Sequence, residues 1–582
     1  MIILFRQIVF FLLLTFSFLF AVSAPPFPYE VEQPDGKKIT VRMYGHEYYN
    51  WIETEDGYVI DFVEYEDRLG WYYSKLNEKG KYIASEMLVT YPAPGDLDIP
   101  KRLREIDPEV RNIDYKQSHS HSGRHSRLGR SSTSQIKPLV FLVDFNNLPN
   151  GIPDYAYTKA HFQHLLFDTN LNSNDANLPS NYDMSVKDYY YEISNETLEI
   201  YGDGESIIDW TTVDYDYSYY VDDEQGTGQG VNGMAQSAAA IVVEIAMEKN
   251  SEINFADFDG DSDGVVDMVL LIVEGWGNGD DAQFWPHMSL IQSGNNGIGI
   301  INPSATINSD GYFSLDGVAI KKYIVIPEQY HMNGYGASKY DIHPIGTICH
   351  EMGHVLGLPD LYDTSINSAA GIGEWGLMGS GNWQKQTSPA YMSAWSRYKM
   401  GFINPLIIEN IISSEELLFP AEIGGLGYTA IILPMDTNMP QEYLILENRQ
   451  NIGSDKYLEN SGLLIWHIDE TITGMYPVMN SVNVNPDFYG VNLLQADGLG
   501  ELYTDCNSCA DAGDPFQPGA NALTGLNTYS YDRDGDGVED PGDDSGIEIS
   551  NIVEDSNNNI ALIVTNPNKH GEIIGYDEGG FN

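Results

Sequence analysis

The residues best suited to chemistry lie in one short stretch, His350-Glu351-Met352-Gly353-His354-Val355-Leu356-Gly357-Leu358-Pro359-Asp360. Side chains four apart on an α-helix stand one turn above each other on the same face. His350 and His354 can therefore offer two imidazole nitrogens to a single Zn²⁺. Glu351 sits beside the first ligand, where its carboxylate can take the proton of a water held at the metal. Gly357 lets the helix end in a left-handed turn, and Pro359 keeps it from resuming. The chain can then bring Asp360 back as a third ligand and leave a fourth position for water. The chemistry implied is metal-assisted hydrolysis, with Glu351 as general base and then acid.

Two other arrangements bear on that site. Gly373-Glu374-Trp375-Gly376-Leu377-Met378-Gly379-Ser380 sets Met378 in a glycine-rich turn downstream of the helix, similar to the Met-turn that floors the metal site of metzincins. Asp259-Gly260-Asp261-Ser262-Asp263-Gly264, with Asp267 beyond it, alternates carboxylates around a glycine bend, which suits a structural Ca²⁺. Leu270 stands where an EF-hand would place its last ligand, and a strand rather than a helix follows. Asp532-Arg533-Asp534-Gly535-Asp536-Gly537, with Asp540 further on, is a second loop of this kind.

The elements that must position these residues read as an α+β chain. Met234 to Lys249 has the composition and periodicity of a buried helix, Pro138 to Phe145 reads as a hydrophobic strand and Val265 to Glu274 as a core strand. Residues 317–326 form another strand just before the motif helix. It suits either a sheet edge that receives an extended peptide or an interior strand. Beyond Trp395 the chain turns to strands and turns, such as Tyr443 to Glu447 and Gly462 to Ile468.

The N-terminus points to export. Arg6, the apolar run Ile8 to Phe20 and the small residues Ala21-Val22-Ser23-Ala24 have the form of a signal peptide, with cleavage after Ser23 or Ala24. The expected organisation is a signal peptide (1–24), a Tyr-rich prosegment (25–117), a His/Ser/Arg linker for processing (118–135), a catalytic domain (136–404), a β-rich domain (405–566) and a polar tail (567–582). A formal charge of −55, from 85 acidic and 30 basic residues, argues against nucleic acid or an anionic membrane as partner. Three cysteines exclude a disulfide-rich scaffold. Cys506 and Cys509 could close a small loop, and Cys349 reads as a core residue rather than a nucleophile. No cysteine precedes Cys349, so a prosegment thiol cannot cap the metal.

Together these residues resemble the immune inhibitor A family of secreted bacterial metallopeptidases. The resemblance runs through Gln33-Pro34-Asp35-Gly36, Glu55-Asp56-Gly57-Tyr58, Val143-Asp144-Phe145, His350 to Asp363 and Trp375 to Gly379. It continues in Glu447-Asn448-Arg449-Gln450, Gly462 to Asp469 and Gly513-Asp514-Pro515-Phe516. It implies a metzincin-like catalytic fold, zinc on His350, His354 and Asp360, Glu351 as base, calcium-supported structure and a removable prosegment. The expected activity is that of a secreted zinc endopeptidase acting on extracellular proteins, with no stable membrane insertion after signal removal. The competing classes are a catalytically silent calcium-binding adhesion protein on a peptidase scaffold and a zinc hydrolase of non-protein amides or esters. Glu351 counts against the first, since a silent scaffold needs no base there. Tyr391 and Tyr362 are candidates for the oxyanion donor, and Asp363 is a looser alternative carboxylate ligand.

Overall fold

Buried β-branched and aliphatic runs build the central sheet. The strands are β1 (Leu19–Ala21), β2 (Leu139–Asp144), β3 (Ile207–Thr212), β4 (Val269–Trp276), β5 (His287–Leu290) and β6 (Lys322–Gln329). They lie side by side in the order β1-β5-β6-β4-β2-β3. The pairs β3/β2, β2/β4 and β4/β6 are parallel, whereas β5 runs antiparallel to β6 and β1 antiparallel to β5. The computed structural model describes residues 19–104 and 134–568 apart from short internal stretches, the longest being 292–300, 331–339 and 531–541.

The near-continuous apolar strands are explained by cover on both faces. Val140, Leu142, Leu270, Ile272, Ile324 and Ile326 face α1 (Val186–Ile193) and α3 (Ile345–Val355), the motif helix. Their neighbours Leu139, Phe141, Val143, Val269, Leu271, Val273 and Val325 face α2 (Ala238–Glu248). The strand expected at 317–326 begins only at Lys322 and is interior, between β4 and β5. Beside it lies β5, whose short and polar sequence HMSL did not announce a strand, and β1 covers the outer side of β5.

Two helix contacts fix α3 against this sheet. Ser185 caps α1 by accepting from the Asp188 N–H at 2.9 Å, and α1 then aims two tyrosines at the motif helix and the segment beyond it. The Tyr190 hydroxyl donates to the Cys349 carbonyl at 2.6 Å and the Tyr189 hydroxyl to that of Ala390 at 2.7 Å. Cys349 is a free thiol in the core, pushed well above its ordinary pKa by burial, as a non-reactive residue should be.

Downstream, β7 (Leu406–Ile407), β8 (Ala430–Pro434), β9 (Glu442–Arg449), β10 (Gly462–Asp469) and β11 (Val491–Leu493) form a second sheet in chain order. One face, with Ile432, Ile445, Leu464, Trp466 and Ile468, joins the same apolar cluster as α3. The other face packs on a three-stranded sheet made by Ile411–Leu418, Glu548–Glu554 and Ile560–Asn566. Near the N-terminus, six antiparallel strands between Tyr29 and Leu88 form a meander in chain order. Among the described residues no helix is long and apolar enough to cross a membrane. The apolar residues 8–18, residues 105–133 with all but the last two residues of the 118–135 linker, Cys506, Cys509, Asp532 to Asp540 and all but the first two residues of the 567–582 tail lie outside the described residues.

Candidate metal centre

Helix α3 ends as its sequence dictates. Gly357 has φ +98°, and two bonds close the terminus, Gly357 N–H to the His354 carbonyl at 2.9 Å and Leu358 N–H to that of Gly353 at 3.0 Å. This is a Schellman pairing around a left-handed glycine. The reversal carries Pro359 and Asp360 back toward the histidine face.

Three ligand atoms converge there. His350 Nε2 lies 3.2 Å from His354 Nε2, and Asp360 Oδ1 lies 3.0 Å from the first and 3.3 Å from the second. Each imidazole is held by its other nitrogen. His350 Nδ1 donates to the Leu377 carbonyl at 2.7 Å and His354 Nδ1 to that of Leu358 at 2.8 Å. A carbonyl only accepts, so both Nδ1 atoms carry the proton and both Nε2 atoms present lone pairs. Two lone pairs and a carboxylate oxygen pressed together repel one another unless a cation lies between them. This donor set of two imidazoles and one carboxylate fits Zn²⁺ with a position to spare.

The electrostatics agree. Burial pushes His354 below the ordinary histidine range against the pull of Asp360, favouring the neutral ring that ligates. Burial would raise Asp360, but the facing imidazoles outweigh it and hold the carboxyl below its usual range. His350 and Glu351 are 0 % exposed, and His354 and Asp360 are 1 %. All four side chains are buried.

Met378 lies under the helix, where a Cβ on Gly353 would approach its Sδ to 2.4 Å. The preceding residue, Leu377, supplies the carbonyl that orients His350. The glycine-rich turn thus provides both the apolar floor and one ring's orienting partner.

Other singled-out residues lie elsewhere. Tyr391 packs over the buried guanidiniums of Arg397 and Arg449, 5.4 Å and 5.8 Å from its ring, and its hydroxyl bonds Glu192. The Tyr362 ring stacks at 6.5 Å on that of His350. Asp363 accepts from the Ser365 N–H at 2.8 Å and shapes its own loop.

Two supports were not legible in advance. Asn480 contacts Asp360 from a turn 120 residues downstream. Arg449 is chelated by Asp455 at 2.6 Å and 2.8 Å, and donates to the Trp375 carbonyl at 3.0 Å just before the Met378 turn. The motif Glu447-Asn448-Arg449-Gln450 marked the second without revealing its contact; nothing marked the first.

The acidic loop after Phe258 gathers Asp259, Asp261 and Asp267, with ligand oxygens within 4.8 Å of one another. Asp263 is not in this group; its Oδ1 accepts from the Val265 N–H at 2.8 Å. Asp267 also accepts from the Lys137 N–H at 2.7 Å, tying the loop to the start of β2. Burial raises its carboxyl to about 7.

Residues 124–407 match the profile of the immune inhibitor A peptidase M6 catalytic domain. The chain is 26% identical over 361 residues to the pre-pro-metalloprotease PrtV of Vibrio cholerae serotype O1 (strain M66-2), an alignment covering 56% of this chain and 35% of that protein. It is 23% identical over 404 residues to immune inhibitor A of Bacillus thuringiensis subsp. alesti, covering 62% of this chain and 54% of that protein. The chain thus matches only part of the length of these relatives.

Proposed function

Residues 124–407 carry the catalytic domain of the immune inhibitor A peptidase M6 family, and on that premise we propose that this protein is a secreted zinc endopeptidase. It hydrolyses peptide bonds of extracellular proteins and is made as a zymogen. The convergence of His350 Nε2, His354 Nε2 and Asp360 Oδ1 within 3.3 Å, with both ring tautomers set for ligation, is the observation that carries this reading.

His350, His354 and Asp360 hold the zinc ion. When bound, zinc supplies Lewis acidity that polarises the scissile carbonyl and makes water more acidic. Glu351, one residue on from His350, takes a proton from the attacking water and hands it to the departing amine. Leu377 and Leu358 hold the two imidazoles in their ligating tautomers throughout.

The same reading makes 25–117 a prosegment, 118–135 its processing region, 136–404 the metzincin-like catalytic domain and 405–566 a β-rich domain packed on it. β1 pairs antiparallel with β5 through Leu19↔Ser289 and Ala21↔His287, using hydrogen bonds that an extended peptide would otherwise make. The motif helix touches both strands. β1 falls within the 1–24 segment assigned to the signal peptide, so this pairing belongs to the chain before that cut. Ala24, at the end of that segment, donates its N–H to the Gly45 carbonyl at 2.8 Å and buries its side chain with Met43 and Trp285. Ca²⁺ binds the Asp259, Asp261 and Asp267 loop as a structural ion.

The deciding experiment incubates processed protein with a mixed peptide library and with small esters, with and without a zinc chelator. Chelator-sensitive peptide cleavage is expected; ester turnover without peptide cleavage, or no turnover at all, overturns the assignment.

A further inference from the structure

Asp360 has two carboxylate oxygens, and the structure treats them differently. Oδ1 faces both histidines, at 3.0 Å and 3.3 Å. Oδ2 accepts from Asn480 Nδ2 at 2.5 Å, while the Asp360 backbone N–H donates to Asn480 Oδ1 at 2.7 Å. The backbone donor fixes which end of the amide is oxygen, so the other end is the NH₂ that meets the carboxylate. Asn480 thus grips one residue twice, by main chain and by side chain.

The grip is itself held. Asn480 is 8 % exposed and adopts φ +49°, a left-handed conformation that asparagine tolerates better than most residues. Its carbonyl accepts from Thr364 Oγ1 at 2.6 Å. Asn483, three residues on, donates to the Leu361 carbonyl at 3.0 Å and is locked to Val491 at 2.7 Å and 3.1 Å. Residues 480–483 therefore form a bracket around residues 360–364, anchored on β11.

We propose that Asn480 is a positioning residue for the third zinc ligand: it occupies Asp360 Oδ2 so that the carboxylate ligates through Oδ1 alone. A carboxylate free to rotate can offer both oxygens to a metal, crowding the position that a water and the scissile carbonyl must share. A partner that engages one oxygen prevents this and fixes the plane of the other. Asn480 lies beyond residues 124–407, so the catalytic domain obtains this part of its centre from the downstream sheet unit. The inference rests on the zinc peptidase reading and deepens it.

The test uses the full chain, its metal removed and returned. Asn480→Gly deletes the side chain while tolerating the left-handed backbone; Asn480→Asp keeps the shape but sets oxygen against oxygen. Zinc affinity is measured by competition with a chromophoric chelator, and the visible spectrum of the Co²⁺-substituted protein reports ligand geometry. Zinc binding is expected to weaken roughly 10- to 100-fold in Asn480→Gly and at least as much in Asn480→Asp, with an altered cobalt spectrum in both. Asn483→Ala, which loosens the same bracket without touching the carboxylate, is expected to change zinc affinity and the cobalt spectrum less than either Asn480 variant. Thermal unfolding of the metal-free proteins separates folding from positioning. A loss of metal-free stability with unchanged zinc affinity and cobalt spectrum overturns the proposal. Wild-type chain that binds no zinc removable by His354→Ala defeats the parent reading instead.

Discussion

Met378 Sδ occupies the space that any side chain on Gly353 would need, 2.4 Å from the Cβ position. Glycine in the middle of a helix forfeits about 1 kcal/mol relative to alanine, so its presence between the two histidines reflects packing. Gly353→Ala is expected to weaken zinc binding and lower stability despite its better helix propensity, because the thioether must move from beneath the site. Met378→Ala alone should also destabilise, by about 2–5 kcal/mol for a buried methionine. The double variant should be less damaged than the sum of the two, with a coupling of at least about 1 kcal/mol in a thermal double-mutant cycle. Strict additivity would show that the two residues do not share that space.

Glu351→Ala is expected to bind zinc with near wild-type stoichiometry and to lose peptide turnover by roughly 10²–10⁴-fold, the usual contribution of a general acid–base. Metal analysis and cleavage rates on the same preparation check both halves. An unchanged rate would remove Glu351 from the base role. Loss of zinc together with activity would make it a structural support of the centre.

The motif helix and its reversal were legible because every signal is local: histidines one turn apart, glycine at the left-handed position, proline beyond it. The core strands were legible because sheets covered on both faces need unbroken apolar runs, as in Leu139 to Val143. What sequence could not supply was long-range pairing. β5 is four residues of ordinary polarity and joins the sheet only through its antiparallel place between β6 and β1. Asn480 is one asparagine in a turn, and its importance comes from the return of the chain to Asp360 after 120 residues. The acidic loop was read as four carboxylates, whereas its fold turns Asp263 to a backbone amide and brings Asp259, Asp261 and Asp267 together.

Cleavage within 118–135 is expected to raise activity on unfolded protein substrates by at least about tenfold, a conservative figure set against the 10²–10⁴ that a single catalytic group supplies. The zymogen reading requires that the N-terminal segment hold the enzyme inactive until it is removed. Intact and cut protein assayed at equal zinc content provide the comparison. Equal rates would mean that the N-terminal segment does not control access.

Calcium is expected to stabilise the protein through the loop at Asp259. An ion at a hundred times its dissociation constant adds about 2.7 kcal/mol. Calorimetry after chelation and calcium return should show an upward shift in the unfolding midpoint, and Asp259→Ala with Asp261→Ala should abolish it. A full shift surviving both substitutions assigns the ion elsewhere.

Glu328 gives a pH signature separable from the metal ligands. It lies on β6, fully buried, and its Oε1 accepts from the Ala156 and Tyr157 N–H groups at 2.6 Å each. Burial raises its carboxyl from 4.5 to about 7, more than these amides lower it. The sign follows from which state holds the proton. Below about pH 4.5 both states are protonated and the contribution is fully present. Between there and about pH 7 the unfolded chain ionises while the folded one keeps its proton, so the contribution fades, and it is lost once pH passes the folded value. The upper limit is roughly 3.5 kcal/mol at about 1.4 kcal/mol per unit. Glu328→Gln keeps an oxygen for the two amides and cannot ionise. Its unfolding midpoint should match wild type near pH 5 and exceed it near pH 8. Parallel profiles for the two proteins across that window would show that Glu328 is already ionised in the fold, with the backbone N–H groups rather than burial setting its charge.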